Sequence, residues 1–287
     1  MSAPARPRFP GRVETPPDAS GTARSGDGTR IAWRAYGEGE PVVLVMGFMG
    51  SGHAWFRLLP HIAARRRAIV LDNRGTGGSD RPLGLWSMTD LADDVRAVLD
   101  DAGVEHPHVV GASMGGMVVQ HLALDHPERV RSLALCCTSP RAGGRSGPPP
   151  WRMLASLALR PVLGAGRTIR IVAPLLYSER TLDDADRLSE EVALRTTDAT
   201  PLATAPAQFA AIARHDTRER LAEVEVPTLV LHGEDDGLVP CAAGRELAGR
   251  IPGAQLTVLP GCGHVLTTDC EEEAAVAIEA FLDRVEG

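Results

Sequence analysis

Short apolar runs recur along the first half of the chain, and amphipathic stretches separate them. Pro41 to Met46, Arg67 to Asp72, His108 to Gly111 and Val130 to Cys136 are nearly continuous apolar runs, as expected for strands buried on both faces. Helical periodicity fills the gaps: His53 to Ala64, Met88 to Ala102 with Leu91, Val95, Val98 and Leu99 on one stripe, and Met114 to His126. Ser87 is placed to cap the second of these, Gly103 follows its end, and Pro127 stops the third. Upstream, Gly21 to Ser25 and Thr29 to Tyr36 read as two strands joined by a turn at Ser25-Gly26-Asp27-Gly28.

Strand–helix alternation predicts parallel strands with crossover helices on both faces, the α/β class. The alternation breaks off after Cys136. Ser139 to Pro150 is a Pro/Gly-rich connector, and helical patterns cover Trp151 to Leu163, Thr168 to Leu176, Thr181 to Thr196 and Leu202 to His215. Strands resume at Val226 to His232 and Gln255 to Leu259, with helices over Arg245 to Arg250 and Glu271 to Val285. The expectation is a mostly parallel, doubly wound α/β core over residues 21–138 and 218–287. A helical lid over 139–217 interrupts it, and a disordered tail over 1–20 precedes it.

Composition narrows the function. With 44% hydrophobic and 23% charged residues among 287, the chain reads as a soluble globular protein. A formal net charge of −7 argues against nucleic acid and against anionic membrane surfaces as partners. No apolar run has the length of a membrane span, and the N-terminus lacks the apolar segment of a signal peptide. A cytoplasmic location follows as the default, and a homo-oligomer is left open. The five cysteines, Cys136, Cys137, Cys241, Cys262 and Cys270, are odd in number and form no C-x-x-C. They suit neither a disulfide framework nor a zinc site and read as small buried residues. The chain has no lysine, which excludes Schiff-base lysine chemistry, a P-loop lysine and a Ser–Lys dyad. The arginines of the insertion read as a solvated face, and His53, His121 and His126 as surface or helix-end residues.

Candidate chemistry centres on Gly111-Ala112-Ser113-Met114-Gly115, a G-x-S-x-G that lies between a strand pattern and a helix pattern. A serine on so sharp a turn is forced into a strained backbone, and its hydroxyl stands clear above the sheet. The following helix aims free N–H groups at the same spot. A serine hydroxyl is a weak nucleophile and needs a base, which in turn needs an orienting acid. Both follow later strands: Gly233-Glu234-Asp235-Asp236 after His232, and Gly261-Cys262-Gly263-His264 after Leu259. From these residues alone the acid is either Asp235 or Asp236. Cys262 as a nucleophile lacks a strand–turn–helix setting.

With these motifs, the chain from about residue 25 onward resembles the α/β-hydrolase fold superfamily. Its order of nucleophile, acid and base is matched by Ser113, Asp236 and His264. The family pattern H-G-x-x-D-x-x-V-P, matched by His232, Gly233, Val239 and Pro240, implies Asp236 as the acid. The alternative acid position, after the strand that follows the elbow helix, reads Cys136-Cys137-Thr138-Ser139 and holds no carboxylate. The resemblance implies oxyanion donors at the backbone N–H of Met114 and Phe48; Met46 stands where the family usually has His. Asp72 and Arg74 match a structural turn. Met49, Trp151, Tyr177, Phe209, Leu238 and Val265 are expected to line the substrate pocket. Similarity to bacterial carboxyl- and methylesterases of natural-product pathways and to enol-lactone hydrolases of aromatic catabolism implies a small to medium, mostly apolar ester or lactone substrate. No cofactor and no metal are needed. Perhydrolysis, C–C hydrolysis or cyclisation by the same triad are alternatives, as is a ligand-binding protein with little turnover.

Overall fold

The computed structural model describes residues 16–142, 151–197 and 199–287. Eight strands form one sheet: β1 (Ala19–Arg24), β2 (Arg30–Tyr36), β3 (Pro41–Val45), β4 (Arg67–Leu71), β5 (His108–Ala112), β6 (Ser132–Cys136), β7 (Thr228–Gly233) and β8 (Gln255–Leu259). Their order is β1-β2-β4-β3-β5-β6-β7-β8. β1 pairs with β2 and β2 with β4 antiparallel, and every pairing from β4 to β8 is parallel. The α/β architecture is therefore as the hydrophobic pattern implies.

The continuous apolar runs divide by parity. Val43, Val45, Ile69, Leu71, Val109, Leu133 and Leu135 pack on one face, Val42, Leu44, Ala68, Val70, Val110, Ala134 and Cys136 on the other. Alternation of successive side chains across a strand makes this partition unavoidable, so both faces need helices to cover them. α2 (Met88–Asp101) and α3 (Met114–Asp125) pack against each other and supply one cover. α1 (Leu59–Ala63) and α11 (Glu271–Glu286) pack together on the other side. Ser87 closes a capping box with Asp90 at the start of α2: its Oγ accepts from the Asp90 amide at 3.1 Å, while Asp90 accepts from the Ser87 amide at 2.7 Å.

Between β6 and β7 the described chain is helical: α4 (Trp151–Leu163), α5 (Ala165–Leu176), α6 (Glu179–Leu182), α7 (Ala185–Thr197) and α8 (Ala205–Ala213). The remaining helices are α9 (Cys241–Arg250) and α10 (Leu266–Asp269). Most of the connector, residues 143–150, lies outside the described residues, as do residues 1–15 of the expected tail.

Several boundaries differ from the sequence expectation. β1 begins at Ala19, inside the expected tail, because the Asp18 amide already donates to the Ala35 carbonyl at 3.0 Å. The helix expected from His53 to Ala64 is a 3₁₀ turn over Gly52–Trp55 followed by α1, since Pro60 fits only the first turn of a helix. The helix expected over Thr181 to Thr196 is split into α6 and α7. Asp184 accepts from the Arg187 amide at 3.0 Å, a local bond that competes with helix continuation. Cys262 and Cys270, expected as free thiols, are joined in a disulfide, whereas Cys136, Cys137 and Cys241 are free. That bond removes Cys262 as a candidate nucleophile. Among the described residues no helix is long and apolar enough to cross a membrane.

Candidate active site

Ser113 sits between β5 and α3 with φ 55° and ψ −121°, a conformation strained for any residue with a side chain. The turn is held from both sides: the Ser113 amide donates to the Cys136 carbonyl at 2.8 Å, and Thr138 Oγ1 donates to the Ser113 carbonyl at 2.7 Å. The flanking glycines are required by space. A Cβ on Gly111 would lie 2.5 Å from Val119, and one on Gly115 would lie 2.1 Å from the Val45 carbonyl oxygen.

Ser113 Oγ lies 2.9 Å from His264 Nε2, and His264 Nδ1 lies 2.8 Å from Asp236 Oδ2. All three come from loops at the carboxyl ends of β5, β7 and β8, the edge at which open α/β sheets bind ligands. Asp235 is exposed, and of the two aspartates it is Asp236 that reaches His264. The other oxygen of Asp236 accepts from the amides of Leu238 at 2.9 Å and Val239 at 2.7 Å. Burial opposes the Asp236 charge. The electrostatic interaction with His264, with hydrogen bonds from His232 and His264, outweighs burial and holds the carboxyl well below the usual carboxylate range.

Phe48 and Met114 line the same cavity as Ser113 and His264. Met114 opens α3, so its amide belongs to the helix end without intrahelical partners. Gly47 brings the loop after β3 against the serine: a Cβ there would lie 2.9 Å from Ser113 Cβ. The loop is anchored without the usual His. Asn73 Nδ2 donates to the Met46 carbonyl at 2.7 Å. Met49 is left-handed at φ 58°, its amide donates to Gln208 Oε1 at 2.9 Å, and its carbonyl accepts from Thr200 Oγ1 at 2.9 Å. Asp72 and Arg74 are structural. Asp72 accepts from the amides of Gly52 at 2.8 Å and Gly78 at 2.9 Å, and Arg74 forms a buried fork with Asp94.

The cavity over Ser113 has a volume of about 910 Å³, and Met49, Phe209, Leu238 and Val265 are among its lining residues. Tyr177 is not on its lining; its buried hydroxyl needs partners and finds them behind the wall, donating to Glu191 at 3.0 Å and accepting from Arg195 Nε at 3.0 Å. The side chain of Trp151 lies outside the described residues. Arg141, Arg160, Arg195 and His53 line the cavity, against the expectation of solvated or surface positions. Periodicity could not reveal this, because the face a charged helix presents depends on what it packs against. One metal-like group exists among the described residues, Cys137, Asp236 and His264, with donor atoms within 4.8 Å of one another. Burial pushes the Cys137 thiol well up, so it is protonated and a poor ligand.

Residues 40–268 match the family model described as the alpha/beta hydrolase fold. The chain belongs to the α/β-hydrolase fold family. Among this family's members, a protein of Azorhizobium caulinodans described as a carbamate hydrolase, RutD, is 35% identical over 85% of this chain and 91% of its own length. A thermophilic esterase from Thermogutta terrifontis superposes with a TM-score of 0.82 at 26% identity, covering 94% of this chain and all (100%) of that one. The enol-lactonase from Burkholderia xenovorans LB400 superposes with a TM-score of 0.81 at 25% identity, covering 92% of this chain and 100% of its own. The two solved structures share this chain's fold over more than nine tenths of its length.

Proposed function

We propose that this α/β hydrolase is a serine enzyme that cleaves a small to medium carboxylic ester or lactone through an acyl-enzyme. The observation that carries the reading is the 2.9 Å contact between Ser113 Oγ and His264 Nε2 on a strained turn, with Asp236 behind the imidazole. His264 takes the Ser113 proton as Oγ attacks the carbonyl, and returns it to the leaving alkoxide. Asp236 holds the tautomer with the free nitrogen toward Ser113 and stabilises the imidazolium. The Phe48 and Met114 amides receive the oxyanion. Water, deprotonated by His264, then releases the acid and restores Ser113. The esterase and enol-lactonase among the relatives support this substrate class, and the apolar cavity lining suits an acyl chain.

Steady-state hydrolysis of short-chain aryl esters by the wild type and Ser113→Ala tests the reading. Turnover that falls to background in the variant supports it; near-full turnover contradicts it. Dependence on hydrogen peroxide and diketone cleavage, assayed beside the esters, separate ester hydrolysis from the other reactions open to the same triad.

A further inference from the structure

Beyond its apolar lining, the cavity wall carries Arg141, Arg160 and Arg195 together with the acids Glu191 and Glu246. The acids are already satisfied. Glu246 pairs with Arg250 at 3.0 Å. Glu191, 1% exposed, accepts from Tyr177 at 3.0 Å, from Thr268 Oγ1 at 2.9 Å and from Arg57 Nε at 3.4 Å. The arginines are only partly satisfied. Arg141 and Arg160 form no ion pair among the described residues, and Arg141 Nε is buried without a hydrogen-bond partner.

Arg195 is built into place. Its Nε donates to the Tyr177 hydroxyl at 3.0 Å, and its approach to Glu191, at 3.9 Å, is also through Nε. Tyr177 is 3% exposed and locked to Glu191. The guanidinium is thus fixed by one edge, while its two terminal amino groups have no partner among the described residues and 29% of the side chain is exposed. A planar fork held by Nε, in a largely apolar cavity shared with Ser113, matches a carboxylate, which accepts two parallel N–H bonds. Glu191, the acid nearest it, is reached only through Nε, at 3.9 Å, and leaves the terminal amino groups unmet; a guanidinium partly withdrawn from water gains most from an ionic partner.

We infer that the substrate carries a carboxylate besides its ester or lactone group, and that Arg195 binds it while Ser113 meets the carbonyl. The inference rests on the serine-hydrolase reading for the position of the carbonyl. The substrate class is then a half-ester or lactone acid, with an apolar spacer between its two functional groups.

The test uses monomethyl esters of straight-chain dicarboxylic acids beside methyl esters of the matching monocarboxylic acids. In the wild type kcat/KM favours the charged ester, and Arg195→Gln lowers the ratio of charged to neutral kcat/KM by about tenfold or more. Arg195→Lys, which keeps the charge without the fork, restores part of it. A wild-type enzyme with no preference for the charged ester overturns the inference whether or not the variants fold. An unaltered ratio in a folded Arg195→Gln protein overturns it too. Calorimetric binding of the same esters to Ser113→Ala protein separates the two readings. If the charged ester binds through Arg195 but the wild type turns over neither ester, the serine-hydrolase reading fails and the carboxylate site stands. If both esters turn over equally, the carboxylate site fails and the hydrolase stands.

Discussion

Met49 donates its amide hydrogen to Gln208 Oε1 at 2.9 Å, a bond that joins the loop after β3 to helix α8 across 159 residues of sequence. The other site loops are tied to the insertion in the same way. The Val265 amide, next to His264, donates to the Leu176 carbonyl at 3.0 Å at the end of α5. Asp269 accepts from both Gly263, at 2.7 Å, and Ser178, at 2.9 Å. Gly237, next to Asp236, packs so closely on Leu175 that a Cβ would lie 3.3 Å from its backbone. The helical segment therefore braces the proposed acid, base and oxyanion loops as well as roofing the cavity.

Bracing of the proposed oxyanion loop is testable at Gln208. Left-handed backbone at a non-glycine residue costs roughly 1–3 kcal/mol, and at Met49 the bonds from Gln208 and Thr200 offset it. Gln208→Leu removes one bond and keeps the bulk. The expected result is a fall in kcat of roughly 10- to 100-fold with a smaller change in KM, because a donor displaced from the oxyanion acts on the transition state. Equal kcat values in steady-state assays would show that the loop holds itself.

His232 positions the proposed acid, Asp236. Its Nε2 donates to the Val239 carbonyl at 2.9 Å and lies 3.4 Å from Asp236 Oδ2, at the base of the turn that carries Asp236. His232→Gln is expected to lower kcat by about tenfold while KM stays close to wild type, and Asp236→Asn by about 10⁴-fold. Matching losses in KM for His232→Gln would instead place its effect on the cavity.

Arg74 and Asp94 form two contacts of 2.6 Å, with side chains only 3% and 2% exposed. Burial pushes the Asp94 carboxyl up despite Arg74, so removing the arginine strands a charge-averse group. Arg74→Met is expected to cost about 3–5 kcal/mol in urea unfolding, and the Arg74→Met/Asp94→Leu double variant markedly less. Additive losses would contradict the pairing.

Acid should destabilise the fold through buried histidines. His215 meets the Ser139 carbonyl at 3.1 Å and His121 at 3.4 Å, and burial, then His121, pushes its pKa down to about 4. The unfolded chain takes up this proton near pH 6.5 and the folded chain does not. The contribution is therefore complete above about pH 6.5 and lost as pH falls toward about 4. On the order of 2 kcal/mol should go between about pH 7 and 5 through His215. His108, pushed to about 4 chiefly by burial, adds in the same sense. Urea unfolding at the two pH values measures the loss, and His215→Gln should reduce it; an unchanged loss would assign the effect elsewhere.

The strands and the three-residue constellation were legible because local rules govern them. Parity divides Val42 to Val45 between two faces in any buried strand, and a serine between Gly111 and Gly115 needs only its own turn. The bracing contacts were not legible. Gln208 is one polar residue on an otherwise apolar helix, and its partner is a backbone amide with no sequence signature. Arg195 reads as part of the solvated face of the insertion's arginines, yet it lies on the cavity lining. Tyr177 is expected on the lining, yet its hydroxyl draws it behind the wall. Cys262 and Cys270 carry no motif, and only the fold of the His264 loop onto α10 brings them together.

The central claim is that Ser113 is the nucleophile, activated by His264 across 2.9 Å. Intact-protein and peptide mass spectrometry after reaction with a fluorophosphonate tests it most directly. The account predicts one phosphonyl adduct per chain, located on Ser113, with no adduct on Ser113→Ala and slower labelling of His264→Ala. An adduct on another residue, or equal labelling of Ser113→Ala, would contradict it.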